Sequence, residues 1–120
     1  MKLVILESPF AGDVSRNIRY ARAATKDCLL RGESPFLSHL LYTQPGILDD
    51  DDPAERALGM AAGHDWIVAS EYSVAYIDLG ISPGMRLGID KAYGLGHKVE
   101  FRFLPNWETV LTYMTRWEDG

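Results

Sequence analysis

Residues 74–85 read Val-Ala-Tyr-Ile-Asp-Leu-Gly-Ile-Ser-Pro-Gly-Met, and this stretch decides the fold. The apolar run Val74 to Ile77 has the pattern of a buried strand, and it stops at a carboxylate, Asp78. Gly80 and the Ser82-Pro83-Gly84 turn follow, and a helical pattern then runs from about Pro83 to Leu95 and ends at Gly96. A strand–turn–helix of this kind sets a carboxylate at the strand's C-terminal end. It also aims helix N-terminal amides into the same space, which suits a sugar or a phosphate.

The same alternation extends in both directions. Leu3 to Leu6 is a short, continuously apolar run, as in a buried parallel strand. After the loop Glu7 to Gly12, Asp13 is a candidate N-cap, and Val14, Ile18, Ala21, Thr25, Cys28 and Leu29 recur at helical spacing over 14–31. Gly32 ends that helix, and Pro35-Phe36-Leu37 is a short second strand that runs through Ser38 to Tyr42 into a loop. Asp49 to Asp52 followed by Pro53 opens a helix that continues to about Ala69. Tyr72 to Ile77 is the third strand, and Val99 to Phe103 alternates as a fourth. Asn106 caps a last helix carrying Trp107, Val110, Leu111, Met114 and Trp117 on one side. The order β-α-β-α-β-α-β-α predicts a single domain over 1–120: a three-layer, Rossmann-like or flavodoxin-like α/β fold. Right-handed crossovers favour a four-stranded parallel sheet of order 2-1-3-4. The ligand crevice then lies between strands 1 and 3, where the winding reverses.

Composition narrows the function. There are 17 acidic and 12 basic residues, a net charge of −5, which argues against a duplex nucleic-acid binder. No apolar window approaches the roughly 18 residues of a membrane span, and the N-terminal run is too short for a signal peptide. These features predict a cytoplasmic protein. The single cysteine, Cys28, excludes an internal disulfide and falls on an apolar helix face, the setting of a structural thiol. No Cys/His spacing suits zinc, and Asp49 to Asp52 lacks the glycine and closing glutamate of a calcium loop, so it reads as a helix cap. Neither a metal nor a cofactor is expected.

Five features, taken in order, resemble the nucleoside 2-deoxyribosyltransferase-like proteins. They are a strand ending in Ser8-Pro9-Phe10, Asn17 in the first helix, Ser38-His39-Leu40 after the second strand, the long acid-capped helix, and Asp78 followed by Ser82-x-Gly84-Met85. The likeness covers essentially the whole chain and is closest to a small phage- and actinobacteria-type branch. It implies chemistry at the N-glycosidic bond of a nucleoside or nucleotide, with a glutamate attacking the anomeric carbon and an aspartate assisting the leaving base. It also implies a homodimer or higher homo-oligomer. By position, Asp78 matches the aspartate, and Ser82 and Gly84 match the turn that holds the sugar or its 5′-phosphate. The glutamate should stand one helical turn after Gly84, where this chain has Gly88.

Gly88 leaves two function classes open. Without that side chain the covalent route is lost from the helix, which favours a non-catalytic protein that senses or sequesters a nucleotide. An enzyme needs its carboxylate from Glu7, from Asp78 or from a neighbouring subunit. Asp90 lies nearly opposite the buried face set by Met85, Ile89, Ala92 and Gly96, so it reads as a surface charge. A glycine inside a helix costs about 1 kcal/mol against alanine, and its presence at 88 signals either close approach of another group or tight packing on the sheet. Ser8 at the crevice is read as a ligand contact and Phe10 as a stacking surface or a core cover. Ser38, Met85 and Gly88 complete the expected lining. His39 joins Asp78 as a candidate acid/base group, or else bonds a backbone carbonyl. Arg16 and Arg19 read as a solvated helix face, and His64 and His97 as surface histidines.

Overall fold

The structure, a computed structural model, describes residues 1–110. Leu111, Met114 and Trp117 of the expected final helix lie outside the described residues. The apolar run at the start becomes β1 (Lys2–Glu7), followed by α1 (Val14–Leu30), β2 (Glu33–Phe36) and α2 (Ser38–Leu41). Then come α3 (Pro53–Asp65), a 3-10 turn (Ile67–Ala69), β3 (Tyr72–Tyr76), α4 (Pro83–Gly94), β4 (Val99–Arg102) and α5 (Trp107–Val110). All four strands are parallel, in the order β2-β1-β3-β4, as the sequence predicts.

Local chemistry sets the helix starts. The Asp13 carboxylate accepts from the Arg16 amide at 3.2 Å, and Asp52 accepts from the Ala54 amide at 3.0 Å with Pro53 next to it. Ser82 caps α4 by accepting from the Met85 amide at 3.2 Å. β2 spans Glu33–Phe36 where the sequence predicts Pro35 to Leu37, β3 and β4 each end one residue early, and two larger differences follow. Ser38–Leu41 closes into one helical turn instead of a loop, and the helix expected to reach Ala69 breaks at Trp66 into the 3-10 turn.

The strand period of two sorts the core onto two faces. Val4, Leu6, Val74 and Tyr76 pack with Tyr20, Ala21, Ala24 and Cys28 of α1 and with Trp107. On the opposite face Ile5 meets Ile67 and Ala92, and Ala75 meets Met85 and Ile89 of α4. β4 departs from a simple apolar-in pattern. Phe101 and Phe103 are 43% and 65% exposed, whereas Arg102 is buried at 7%. The register aligns Arg102 with Tyr76 on the α1 side, and there its guanidinium forms two bonds to Glu33, of 2.7 and 2.8 Å.

Candidate functional site

Glu7 is the last residue of β1 and shares a face with Ile5, so its side chain leaves the sheet toward α4. There it meets the buried side of that helix, formed by Met85, Gly88, Ile89 and Ala92. The contact is close: a Cβ placed on Gly88 would stand 1.9 Å from Glu7 Oε2 and 2.7 Å from its Cδ. Gly88 is therefore the seat of a carboxyl group reaching across from β1. No hydrogen bond or ion pair from a described residue reaches that carboxyl. Burial pushes its pKa up to about 8, because nothing nearby offsets the cost of desolvating the charge.

The carboxyl forms part of the wall of a cavity of about 350 Å³, which Ser8, Phe10, Ser38, His39, Ser82, Gly84 and Met85 also line. That volume is within the range of small-molecule sites. Ser8 Oγ and His39 Nε2 share a hydrogen bond of 2.7 Å across the ends of β1 and β2. Desolvation lowers the pKa of His39 to about 4. Between about pH 4 and 8 the floor of the cavity therefore carries an uncharged carboxyl and an uncharged imidazole.

α3 supplies the opposite wall through Arg56, Met60 and Gly63, with His64 beside them and Ile67 of the 3-10 turn following. The spacing of these positions is helical, and it is the signal that would have singled them out from sequence. Arg56 reaches the start of α4, its Nη2 lying 3.6 Å from where a Cβ on Gly84 would be. Its Nη1 donates to Asp50 at 3.3 Å. Ser38 packs so tightly on α3 that a Cβ at Gly63 would come within 2.3 Å of its hydroxyl. His64, read from sequence as a surface residue, lines the cavity, and burial and the Lys91 charge hold its pKa below the usual value.

Four of the sequence candidates stand elsewhere, among them Gly88, which the Glu7 carboxyl covers and which does not line the cavity. Asp78 does not line the cavity. It continues the face of Val74 and Tyr76, and its Oδ1 accepts from the Tyr20 hydroxyl at 2.5 Å. Its two oxygens also accept from the Leu104 amide at 2.8 and 3.0 Å. The strand period thus puts Glu7 and Asp78 on opposite faces of the sheet. Asn17 is 1% exposed and donates to the Phe10 and Ala11 carbonyls at 2.8 and 3.1 Å. It holds the loop that carries Phe10 without touching the cavity. Pro9, also buried, belongs to that loop and not to the lining. Asp78→Asn should lower stability by about 1–3 kcal/mol, the cost of weakening buried hydrogen bonds to a charged acceptor. Urea denaturation measures this, and an unchanged midpoint would contradict the pinning role.

Among the described residues no group of three or more His, Cys, Asp or Glu is placed to hold a metal ion, and no helix is long and apolar enough to cross a membrane. Residues 2–102 match a family model described as a domain of unknown function (DUF7768). No curated protein matches. Among solved structures the chain is similar to a 2-deoxyribosyltransferase from the psychrotolerant bacterium Bacillus psychrosaccharolyticus. The TM-score is 0.58 at 16% identity, over 92% of this chain and 91% of that one. At that identity the likeness establishes a shared fold.

Proposed function

The chain belongs to the family described as a domain of unknown function, DUF7768, and we propose that it binds a nucleoside or nucleotide in the cavity beside Glu7 and acts at its N-glycosidic bond. The observation that supports this reading is the unpartnered Glu7 carboxyl occupying the space over Gly88. A cleavage at an anomeric carbon needs a carboxyl group beside it. In this chain β1 provides that group in place of the helix. Gly88 alone would favour a binding protein without turnover. Glu7 in that space favours chemistry.

The other lining residues suit the same ligand class. Phe10 offers an aromatic face to a base, and Ser8 with His39 offers a hydrogen-bonding pair. Ser82 and Gly84 at the start of α4, with Arg56 beside them, fit the sugar 5′ end or its phosphate. Asp78 has no part in this reading beyond supporting β3. The partner is a small molecule, and no cofactor enters the scheme. Leu58, Trp66 and Val68, exposed on and after α3, offer a surface for a homo-oligomer, which light scattering would reveal.

The test is a ligand panel. Purified protein is incubated with each deoxynucleoside, nucleoside and 5′-monophosphate, with and without a free acceptor base, and followed by chromatography and thermal shift. Release or exchange of a base is the expected outcome. A stabilising ligand with no product would reduce the reading to binding, and silence in both readouts would refute it.

A further inference from the structure

We infer that Glu7 acts first as the acid and then as the base of a single-carboxyl cleavage, with no glycosyl–enzyme ester formed. This inference rests on the reading that the cavity takes a nucleoside or nucleotide, and it names how that site performs the reaction.

A two-carboxylate route needs one ionised group to attack the anomeric carbon and a second, protonated one to serve the leaving base. The cavity is lined by Glu7 and Asp50. Asp50 is committed to Arg56 at 3.3 Å. Asp78 is held on the far face by Tyr20 and the Leu104 amide, and Asp90 is exposed on the outer side of α4. Among the described residues one free carboxyl remains.

The surroundings of that carboxyl decide which form it takes. No hydrogen bond or ion pair from a described residue reaches the Glu7 carboxyl, and it sits in a seat that exists because residue 88 lacks a side chain. A carboxyl removed from water and given no counter-charge keeps its proton, and the value near 8 agrees. A protonated carboxyl is a poor nucleophile and a competent acid. The neutral His39, bonded to Ser8, supplies no charge that would ionise it.

The step balances with water alone. Glu7 gives its proton to a ring nitrogen of the base as the C1′–N bond breaks, and the bonding pair leaves with the base. The carboxylate so formed faces the oxocarbenium-like C1′ and stabilises it. A water oxygen then bonds to C1′ and passes its proton to Glu7, which restores the starting acid. The products are the free base and the free sugar or sugar phosphate. An acceptor base with an N–H in place of water gives the transfer product with the same proton balance.

The experiment compares the native chain with Glu7→Gln, which keeps the shape of the side chain in its seat. Base release is followed from pH 5 to 9 on the deoxynucleosides and their 5′-monophosphates, and intact mass is recorded after acid quench during turnover. The native rate should fall tenfold per pH unit above about pH 8, where the acid form is lost. Glu7→Gln should lose at least about 100-fold, the ordinary worth of an acid/base group. The protein mass should remain that of the free chain. Glu7→Gln should also escape the loss of stability that native protein shows between about pH 5 and 8, a readout that needs no substrate.

Glu7→Gln turning over within threefold of native would overturn the assignment alone, leaving the site reading intact. A sugar adduct on the Glu7 peptide, or a rate that rises with pH through 8, would overturn the non-covalent route. Absence of base release by the native chain, with a ligand still stabilising it, would overturn this assignment and leave the site a binding one; silence in thermal shift as well would overturn the site reading too.

Discussion

Arg102→Ala is expected to destabilise the fold by about 3–5 kcal/mol, the cost of stranding a buried charge. Arg102 is 7% exposed and Glu33 4%. Their paired bonds, with Tyr72 also donating its hydroxyl to Glu33, replace the water both groups lose on folding. Around them the Tyr76 hydroxyl accepts from Arg102 at 3.3 Å and donates to Asp27 at 2.5 Å, and Glu100 adds an ion pair at 3.0 Å. The Arg102 guanidinium holds Glu33 down at about 2, against the opposing pull of burial.

The sign of the pH dependence follows. A carboxylate whose folded pKa is depressed contributes stability that is present above its unfolded value near 4.5 and is lost as pH falls toward 2. Acid unfolding of the native chain should therefore have a component in that window, and Glu33→Gln should lack it. Replacing the pair together, as Glu33→Leu with Arg102→Met, should recover most of the loss, since well-packed apolar groups avoid the desolvation cost of both charges. Chemical denaturation of the three variants reads the difference. A double variant as unstable as Arg102→Ala would mean that packing, not charge, dominates there.

Gly88→Ala is expected to separate stability from function. Alanine is the better helix former by about 1 kcal/mol, yet its Cβ would stand 1.9 Å from Glu7 Oε2. The carboxyl must leave its seat. Misplacing a reacting group by about 1 Å costs on the order of 100-fold in rate, and base release should fall by that much while the chain stays folded. The displaced carboxyl gains access to water, so its pKa should return toward 4.5 from about 8. A group with a raised folded pKa contributes stability that is complete below its unfolded value and is lost as pH rises through the folded one. The native chain should thus lose stability between about pH 5 and 8, and Gly88→Ala should lose less. Thermal melts across that range measure it, and parallel curves for the two proteins would place Glu7 outside the Gly88 seat.

Much of the fold was legible because its signals are local. The apolar run Val74 to Tyr76, the Ser82-Pro83 helix start and the Asp52-Pro53 cap each depend on a few neighbouring residues. Alternation of strand and helix then implied the parallel sheet, and crossover handedness its order. Met85, Ile89 and Ala92 of the buried face of α4 also followed from periodicity; Gly88, expected at its edge, is buried, and Gly96, expected on it, lies beyond the helix and is exposed. The break at Trp66 and the turn at Ser38–Leu41 were missed. The turn packs its Ser38 against Gly63 of α3, a contact between separate segments of the chain.

The site divides along the same line. Ser8, Phe10, Ser38, His39, Ser82, Gly84 and Met85 were found because they follow strand ends or open a helix, and topology sends such positions to one rim. The sequence by itself determined that rim, and that position 88 has no carboxylate to offer. Only the tertiary structure decided which side chain fills the space at that position. Glu7 and Asp78 both end strands, and a period of two carries one toward α4 and the other toward α1. Which of those faces holds the cavity depends on the packing of α3 and α4 over the sheet, a long-range arrangement that no local pattern encodes.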